Sequence, residues 1–129
     1  MDIFNVLKKM KILLIDDDEW IRDSMTLFFE SEDCRIMVLE TAEEGLKEIK
    51  AHSYDIILID YKLPGINGLE FLEQIRAFYP KAVRILLSAY GDSEIIERAK
   101  NMGIQDFIEK PFTWEAIEKS LSRAINTYR

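Results

Sequence analysis

Acidic residues follow two short apolar runs of the sequence, at positions where they could act together. Residues 16–19 are all acidic and come directly after the run at 11–15, and Asp60 directly follows a second apolar run. Carboxylates that lie close together repel one another, and a hard divalent cation is the usual remedy. Mg²⁺ suits such a site because it takes oxygen ligands, often one or two carboxylates together with phosphate oxygens. The pattern therefore predicts that Asp16, Asp17 and Asp60 bind Mg²⁺.

A carboxylate beside a bound metal ion is a competent nucleophile toward phosphorus, and its product is an aspartyl phosphate. Asp60 is the candidate, because a rigid apolar strand would carry it to the rim of a sheet. The transfer needs mainly in-line positioning and neutralisation of charge. Lys110 supplies a mobile positive charge for a phosphoryl oxygen, and Ser88 supplies a hydroxyl donor. Either residue alone would be interpreted as an ordinary surface residue, but together with the acids they indicate a phosphoryl-transfer site.

Short apolar runs alternate with longer amphipathic segments along the chain. The pattern predicts strands at 11–15, 35–39, 55–59, 83–87 and 107–108. It predicts helices at 20–30, from a capping box of Thr41 and Glu44 onward, along Leu69, Leu72 and Ile75, at 93–102 with Gly103 as its end, and at 114–127. Five βα units in a row imply a doubly wound parallel sheet with helices on both faces, and ligands then bind beyond the carboxyl ends of the strands. We interpret Asp18 and Glu19 as acids that complement the dipole of the first helix.

The composition excludes several classes of function. The chain has 17 Lys and Arg and 24 Asp and Glu, a net charge of −7, so its surface repels nucleic-acid phosphates and anionic membranes. No apolar run approaches the roughly 20 residues of a membrane span. Lys8 and Lys9 follow the first apolar residues, the reverse of a signal peptide. Because Cys34 is the only cysteine, an internal disulfide is ruled out, and we expect a reduced, cytoplasmic protein.

Four motifs, spread in order over nearly the whole chain, carry a resemblance to a known family. They are Ile-Leu-Leu-Ile-Asp-Asp-Asp (12–18), Asp-Tyr-Lys-Leu-Pro-Gly-Ile-Asn-Gly (60–68), Ser-Ala-Tyr-Gly (88–91) and Lys-Pro-Phe (110–112). The sequence resembles the response-regulator receiver domains of two-component signalling, and its pattern is closest to single-domain receivers of the sporulation-phosphorelay type. The resemblance implies a (βα)5 flavodoxin-like domain at 11–129, preceded by an N-terminal extension at 1–10 to which we assign no role.

The resemblance also implies a function for the acidic cluster. Asp60 would be the phosphoacceptor, and Asp16, Asp17 and Asp60 would hold Mg²⁺ together with the backbone carbonyl of Lys62. The phosphoryl group would come from a sensor histidine kinase or a His-containing phosphotransfer protein. Such a domain is a signalling module that catalyses only its own phosphorylation and dephosphorylation.

Further roles implied by the resemblance concern switching and lifetime. Ser88 and Lys110 would contact the phosphoryl group, and Ser88 with Phe107 would form a switch, although an ordinary core role for Phe107 stays open. Lys62 and Tyr90 would flank the approach of water and set the lifetime of the phosphoryl group. The switch would alter the surface of the fourth predicted helix, fifth strand and fifth helix, which meets a downstream effector domain or protein. A dimer linked to phosphorylation is left open.

The sequence departs from the family pattern in three places. Ser88 stands where Thr is more common, Asn67 where Asp is frequent and Phe107 where Tyr often occurs.

Two other classes of function are possible for this sequence. A haloacid-dehalogenase-like Mg²⁺-dependent phosphatase would use Asp16 and Asp18 as its Asp-x-Asp pair. That fold needs a second acidic pair after a late strand, which this chain lacks, and it leaves Asp60 without a purpose. The remaining alternative is a receiver-shaped interaction module that is never phosphorylated.

Overall fold

The fold is built around one sheet of five parallel strands. The computed structural model describes residues 2–77, 81–89 and 91–128. The strand order is β2-β1-β3-β4-β5, with β1 (Ile12–Ile15), β2 (Ile36–Leu39), β3 (Ile56–Asp60), β4 (Val83–Ala89) and β5 (Asp106–Lys110). The helices are α1 (Ile3–Leu7), α2 (Glu19–Ser31), α3 (Ala42–Ala51), α4 (Gly68–Ile75), α5 (Ser93–Asn101) and α6 (Trp114–Tyr128). The predicted flavodoxin-like arrangement of five βα units is confirmed.

Two hydrophobic cores lie on opposite faces of the sheet. Ile12 and Leu14 of β1 belong to a core shared with α1, α2 and α6, whereas Leu13 and Ile15 belong to a core shared with α3, α4 and α5. This alternation follows from the strand geometry, in which successive side chains point to opposite faces. Every residue of β1 and β3 is buried, as expected for the central strands of a parallel sheet covered on both sides.

The first residues of the chain form a helix that the sequence analysis did not predict. Asp2 caps α1 by accepting a hydrogen bond from the Phe4 amide at 3.0 Å. Phe4 and Leu7 are buried in the first core, and the Phe4 ring packs edge-on against Phe28 of α2. The spacing of Phe4 and Leu7 is helical, so a signal was present, but five residues are too few to predict a helix without knowing that a core lies beneath them. With α1 counted, the fourth and fifth predicted helices are α5 and α6.

The ends of the elements differ slightly from the predicted ones, and the differences concern the candidate site. Asp60 is the last residue of β3 rather than the residue after it, and β4 continues to Ala89, so that Ser88 lies within the strand. The capping box of Thr41 and Glu44 is present, with the Glu44 amide 3.1 Å from the Thr41 hydroxyl. Gly103 has a φ of 88° just beyond α5, as a helix-ending glycine should. Over the residues that are described, no helix combines the length and apolar character needed to cross a membrane.

The burial of α1 leads to a prediction about stability. We expect Leu7→Ala to lower the free energy of unfolding by about 2–4 kcal/mol, because it empties a fully buried position of the core. Urea denaturation monitored by circular dichroism measures the change. Asn5→Ala, an exposed position on the same helix, is the matched control and should change stability by less than about 0.5 kcal/mol. Equal stability of Leu7→Ala and wild type would show that α1 does not contribute to the core.

Candidate functional site

Three carboxylates meet at the carboxyl edge of the sheet because β1 and β3 are neighbours in register. Ile15 pairs with Ile59, so Asp16 and Asp60, the residues that follow them, lie side by side. Asp16, Asp17 and Asp60 each offer a carboxylate oxygen, and these oxygens all lie within 4.8 Å of one another. Asp16 and Asp60 are buried whereas Asp17 is exposed. The three acids that the sequence analysis assigned to one site are therefore brought together.

Lys110 balances part of this negative charge. Its Nζ lies 2.8 Å from Asp16 Oδ2 and 3.2 Å from Asp60 Oδ2, so one ammonium group bridges the two buried carboxylates. Lys110 ends β5, which is separated from β3 by β4, and its long side chain spans that intervening strand. The peptide bond between Lys110 and Pro111 is cis.

Burial and charge shift the ionisation of the two central groups. Burial, and secondly the charge of Asp16, raise the pKa of Asp60 from 3.8 to about 6, although Lys110 opposes the shift. Burial alone would lower the pKa of Lys110, but its hydrogen bond to Asp16 and the charges of Asp60 and Asp16 outweigh that effect and raise it. Three carboxylates and one ammonium leave an excess negative charge at the site.

The residues present fit a hard divalent cation such as Mg²⁺. Carboxylate oxygens are the ligands that this ion prefers, and the exposed side of Asp17 leaves room for the waters that Mg²⁺ retains. Asp17 and Asp60 border an open cleft of about 580 Å³ that is also lined by Lys62, Lys110 and Asp92. A cation held by the acids would therefore face an open cleft large enough for a phosphoryl group.

Ser88 is buried on β4, where its hydroxyl has no hydrogen-bond partner among the described residues. Its Oγ finds no donor or acceptor in the part of the chain that the structure describes, and the residue is only 1% exposed. Leaving a buried hydroxyl without a hydrogen-bond partner costs free energy. A bound group that offered a hydrogen bond to the Ser88 hydroxyl would therefore be favoured. Leu86, two residues earlier on the same face of β4, pairs with Phe107 of β5, which makes Phe107 a diagonal neighbour of Ser88. The Phe107 ring is partly buried against the second core, 5.9 Å from the Lys100 Nζ.

Of the other residues singled out from the sequence, Asp18 caps a helix and Lys62 lies at the cleft, whereas Tyr90 lies outside the described residues. Asp18 caps α2 by accepting hydrogen bonds from the Trp20 and Ile21 amides at 2.9 and 3.3 Å, which confirms its interpretation as a helix-start acid. Lys62 is exposed in the loop after β3 and lines the cleft. Tyr90 lies outside the described residues, so the roles of Lys62 and Tyr90 in phosphoryl lifetime stay predictions.

Two residues near the site were not singled out from the sequence. Arg22 of α2 donates a hydrogen bond from its guanidinium to the backbone carbonyl of Asp16 at 2.9 Å, and Asp92 lines the cleft. Arg22 holds the main chain on which the first carboxylate sits. Its position one turn into an amphipathic helix is typical of any surface arginine, so the sequence carried no signal that distinguished it.

Comparison with known proteins identifies the family. The sequence model of one protein family, the response regulator receiver domain, matches residues 12–122, which is most of the chain. The chain therefore belongs to the receiver domains of two-component response regulators. The match begins after α1.

Individual relatives agree with this assignment. The cell cycle response regulator CtrA of Brucella ovis is 36% identical over 103 residues, covering 80% of this chain and 44% of CtrA. A cyclic di-GMP phosphodiesterase of Thermotoga maritima is 28% identical over 116 residues, covering 90% of this chain and 31% of the relative. The crystal structure of a response regulator receiver domain protein from Clostridium thermocellum superposes with a TM-score of 0.82 at 27% identity, covering 92% of this chain and 95% of that one. The chain spans less than half the length of these two curated relatives.

The phosphatase alternative finds no support in this geometry. Both oxygens of Asp16 are engaged, Oδ1 by the Asp18 amide at 3.0 Å and Oδ2 by Lys110 at 2.8 Å. Asp16 does not line the cleft, whereas Asp60 does, so the Asp16 carboxylate is the more poorly placed of the two to act as a nucleophile. The pair of Asp16 and Asp18 is also divided in role, because Asp18 caps a helix.

The raised pKa of Asp60 predicts how stability depends on pH. The folded protein binds the Asp60 proton more tightly than the unfolded chain does, because the pKa of Asp60 rises from 3.8 to about 6 on folding. The stabilisation that comes from this bound proton is therefore fully present below about pH 3.8 and is lost as the pH rises through about 6. We expect Asp60→Asn to raise the free energy of unfolding at about pH 7.5 by up to roughly 3 kcal/mol, since each pKa unit corresponds to about 1.4 kcal/mol. The gain should shrink toward zero below about pH 4.

Urea denaturation across this pH range, in buffer free of divalent cations, tests the prediction. Asp23→Asn, an exposed position on α2, is the matched control and should show little change at any pH. A variant Asp60→Asn that is less stable than wild type at neutral pH would contradict the electrostatic account of the site.

Proposed function

We propose that the chain accepts a phosphoryl group on Asp60 in a Mg²⁺-dependent reaction and passes the signal on through a change of surface. The observation that carries the proposal is the position of Asp60, the last residue of a buried strand, beside Asp16, Asp17 and Lys110 at the edge of an open cleft. Membership of the receiver family supports phosphoryl acceptance as the function of that arrangement. The donor is a sensor histidine kinase or a His-containing phosphotransfer protein in the cytoplasm.

In the proposed transfer, a carboxylate oxygen of Asp60 attacks the phosphorus of the donor. The new O–P bond forms as the bond from phosphorus to the donor nitrogen breaks, and that nitrogen keeps the electron pair. Asp60 must be ionised to attack, which its pKa of about 6 allows at neutral pH. Asp16, Asp17, Asp60 and the Lys62 carbonyl would hold Mg²⁺, which when bound neutralises charge on the phosphoryl oxygens.

Lys110 and Ser88 complete the proposed site. Once Asp60 carries the phosphoryl group as an acyl phosphate, its carboxylate is no longer charged, and the Lys110 ammonium can exchange this partner for a charged phosphoryl oxygen without leaving Asp16, 2.8 Å away. The unpartnered Oγ of Ser88 would gain an acceptor among the phosphoryl oxygens. A shift of Ser88 toward them would open space for its neighbour Phe107 to turn inward, which biases a two-state element.

The proposed output is the surface formed by α5, β5 and α6. Phe107 belongs to β5 and lies under Lys100 of α5, so a turn of its ring would alter both elements. The occupant of this surface would be a downstream effector domain or protein, or a second copy of the chain after phosphorylation. Direct binding of nucleic acid or membrane by this chain is not part of the proposal, because its net charge is −7.

Phosphorylation of Asp60 is tested with acetyl phosphate as a small donor. We expect the intact mass of the protein to increase by one phosphoryl group when Mg²⁺ is present and to stay unchanged when the metal is chelated. Asp60→Asn should show no increase, whereas Asp55→Asn, at the residue just before the opposite end of β3, should be modified like wild type. Undiminished phosphorylation of Asp60→Asn would refute the assignment.

The metal site makes a separate prediction. Asp17→Ala should weaken Mg²⁺ binding by about ten-fold or more in isothermal titration calorimetry, because the ion loses one of few protein ligands. Bound Mg²⁺ should also change the emission of Trp20, which is 72% exposed three residues after Asp17. The Trp114→Phe background isolates that signal, since the chain has two tryptophans. Equal Mg²⁺ affinity in wild type and Asp17→Ala would contradict the ligand set.

The switch is tested by amide hydrogen exchange with and without phosphorylation. We expect altered exchange across α5, β5 and α6, and we expect Ser88→Ala to suppress this change while leaving Asp60 able to accept the phosphoryl group. Exchange that changes only next to Asp60, with no difference across residues 91–125, would count against coupling through Ser88 and Phe107.

A further inference from the structure

We propose that Glu43 is a positioning residue for the metal and phosphoryl site, because its carboxylate holds the loop that follows the phosphoacceptor. The inference rests on the proposed function and assigns a role to a residue outside the acidic cluster. Glu43 lies in the first turn of α3, and its Oε2 accepts a hydrogen bond from the backbone amide of Ile66 at 3.1 Å. This bond joins two segments that are 23 residues apart in the chain.

The loop between β3 and α4 is fitted closely to this carboxylate. Gly65 has a φ of 73°, and a Cβ at that position would collide with Glu43 Oε2. Glycine thus allows the main chain both to take a left-handed conformation and to approach the carboxylate. The partly buried side chain of Ile66 packs into the second core, so the amide that Glu43 accepts from belongs to an anchored residue.

Both ends of the same loop are held against the sheet. The Tyr61 amide donates to the Leu87 carbonyl at 2.9 Å, and the Tyr61 carbonyl accepts from the amides of Leu63 and Gly68 at 3.1 and 2.9 Å. Gly68 lies against the Asp60 carbonyl so closely that a Cβ there would collide with it. Between these ends, residues 62–64 line the cleft. Glu43, from helix α3, holds the part of the loop at Ile66 through its hydrogen bond to the Ile66 amide.

The element that carries Glu43 is itself well fixed. The capping box of Thr41 and Glu44 defines the start of α3, and Gly45 packs directly against Ile15 at the end of β1. The carboxylate therefore projects from a helix seated beside the strand that leads to Asp16. Loss of the bond should leave α3 in place and loosen the loop that carries the Lys62 carbonyl, one of the four protein ligands proposed for Mg²⁺.

A simpler role for Glu43 makes a different prediction. An acid in the first turn of a helix stabilises it through the helix dipole, whether or not it touches the loop. Glu43→Gln separates the two roles, because glutamine keeps an acceptor oxygen but loses the charge. Glu40→Ala removes an exposed negative charge just before α3. It is the matched control for the general electrostatic effect of the Glu43 charge, as distinct from its hydrogen bond to the loop.

Two measurements on these variants test the proposal, and the first needs neither metal nor phosphoryl donor. In Mg²⁺-free protein, Glu43→Ala should speed amide exchange at residues 65–67 while α3 keeps its protection. In calorimetric titration, Glu43→Ala should weaken Mg²⁺ binding by roughly 3- to 10-fold, less than the 10- to 100-fold typical of groups bonded directly to a ligand. Glu43→Gln and Glu40→Ala should stay within about two-fold of wild type.

The outcomes separate this inference from the proposed function. Unchanged exchange at 65–67, or equal weakening by Glu43→Ala and Glu43→Gln, would overturn the positioning role while leaving Asp60 as phosphoacceptor. Wild-type protein that fails to bind Mg²⁺ would overturn both. Faster exchange at 65–67 with weaker Mg²⁺ binding in Glu43→Ala alone would establish the role.

Discussion

Repulsion among carboxylates at one edge of the sheet is the interaction on which the rest of the site depends. Asp16 and Asp60 are buried beside each other, and Asp17 adds a third charge from the solvent side. Burial of acids in such proximity is unfavourable unless a cation compensates them. Lys110 supplies one positive charge at 2.8 and 3.2 Å from the two buried acids, and a metal ion held by the three carboxylates could compensate the remaining negative charge.

The sheet makes this costly arrangement tolerable by holding each participant on a rigid element. Asp60 ends a strand that is buried throughout, and Lys110 ends another that reaches the site across β4. Hydrogen bonds from Arg22 to the Asp16 carbonyl and from the Ile66 amide to Glu43 fix the main chain on either side. Ser88 is the exception, since its buried hydroxyl is left without a partner in the described part of the chain. The site thus combines charges held on rigid elements with one buried hydroxyl that is free to form a further hydrogen bond within the described part of the chain.

The parallel fold and the acidic cluster were predictable from the sequence because both depend on local pattern. Apolar runs followed by amphipathic segments indicate βα units, and the carboxyl ends of parallel strands share one edge, which brings Asp16 and Asp60 together. Asp18 was correctly separated from its acidic neighbours because helix-capping acids have a recognisable position. The helix α1 was missed since five residues gain helical stability only from the core beneath Phe4 and Leu7. Arg22 and Glu43 were missed because their partners are backbone groups that only the tertiary structure brings near.

The most direct test of the central claim is to map the residue that carries the phosphoryl group. Borohydride reduces an acyl phosphate to an alcohol, so protein treated with acetyl phosphate and Mg²⁺ and then with borohydride records the modified aspartate in its peptide masses. The account predicts homoserine at position 60 and unmodified aspartate at positions 16 and 17. Homoserine at position 16 would contradict it, because the nucleophile would then be the acid that Lys110 and the Asp18 amide hold in place.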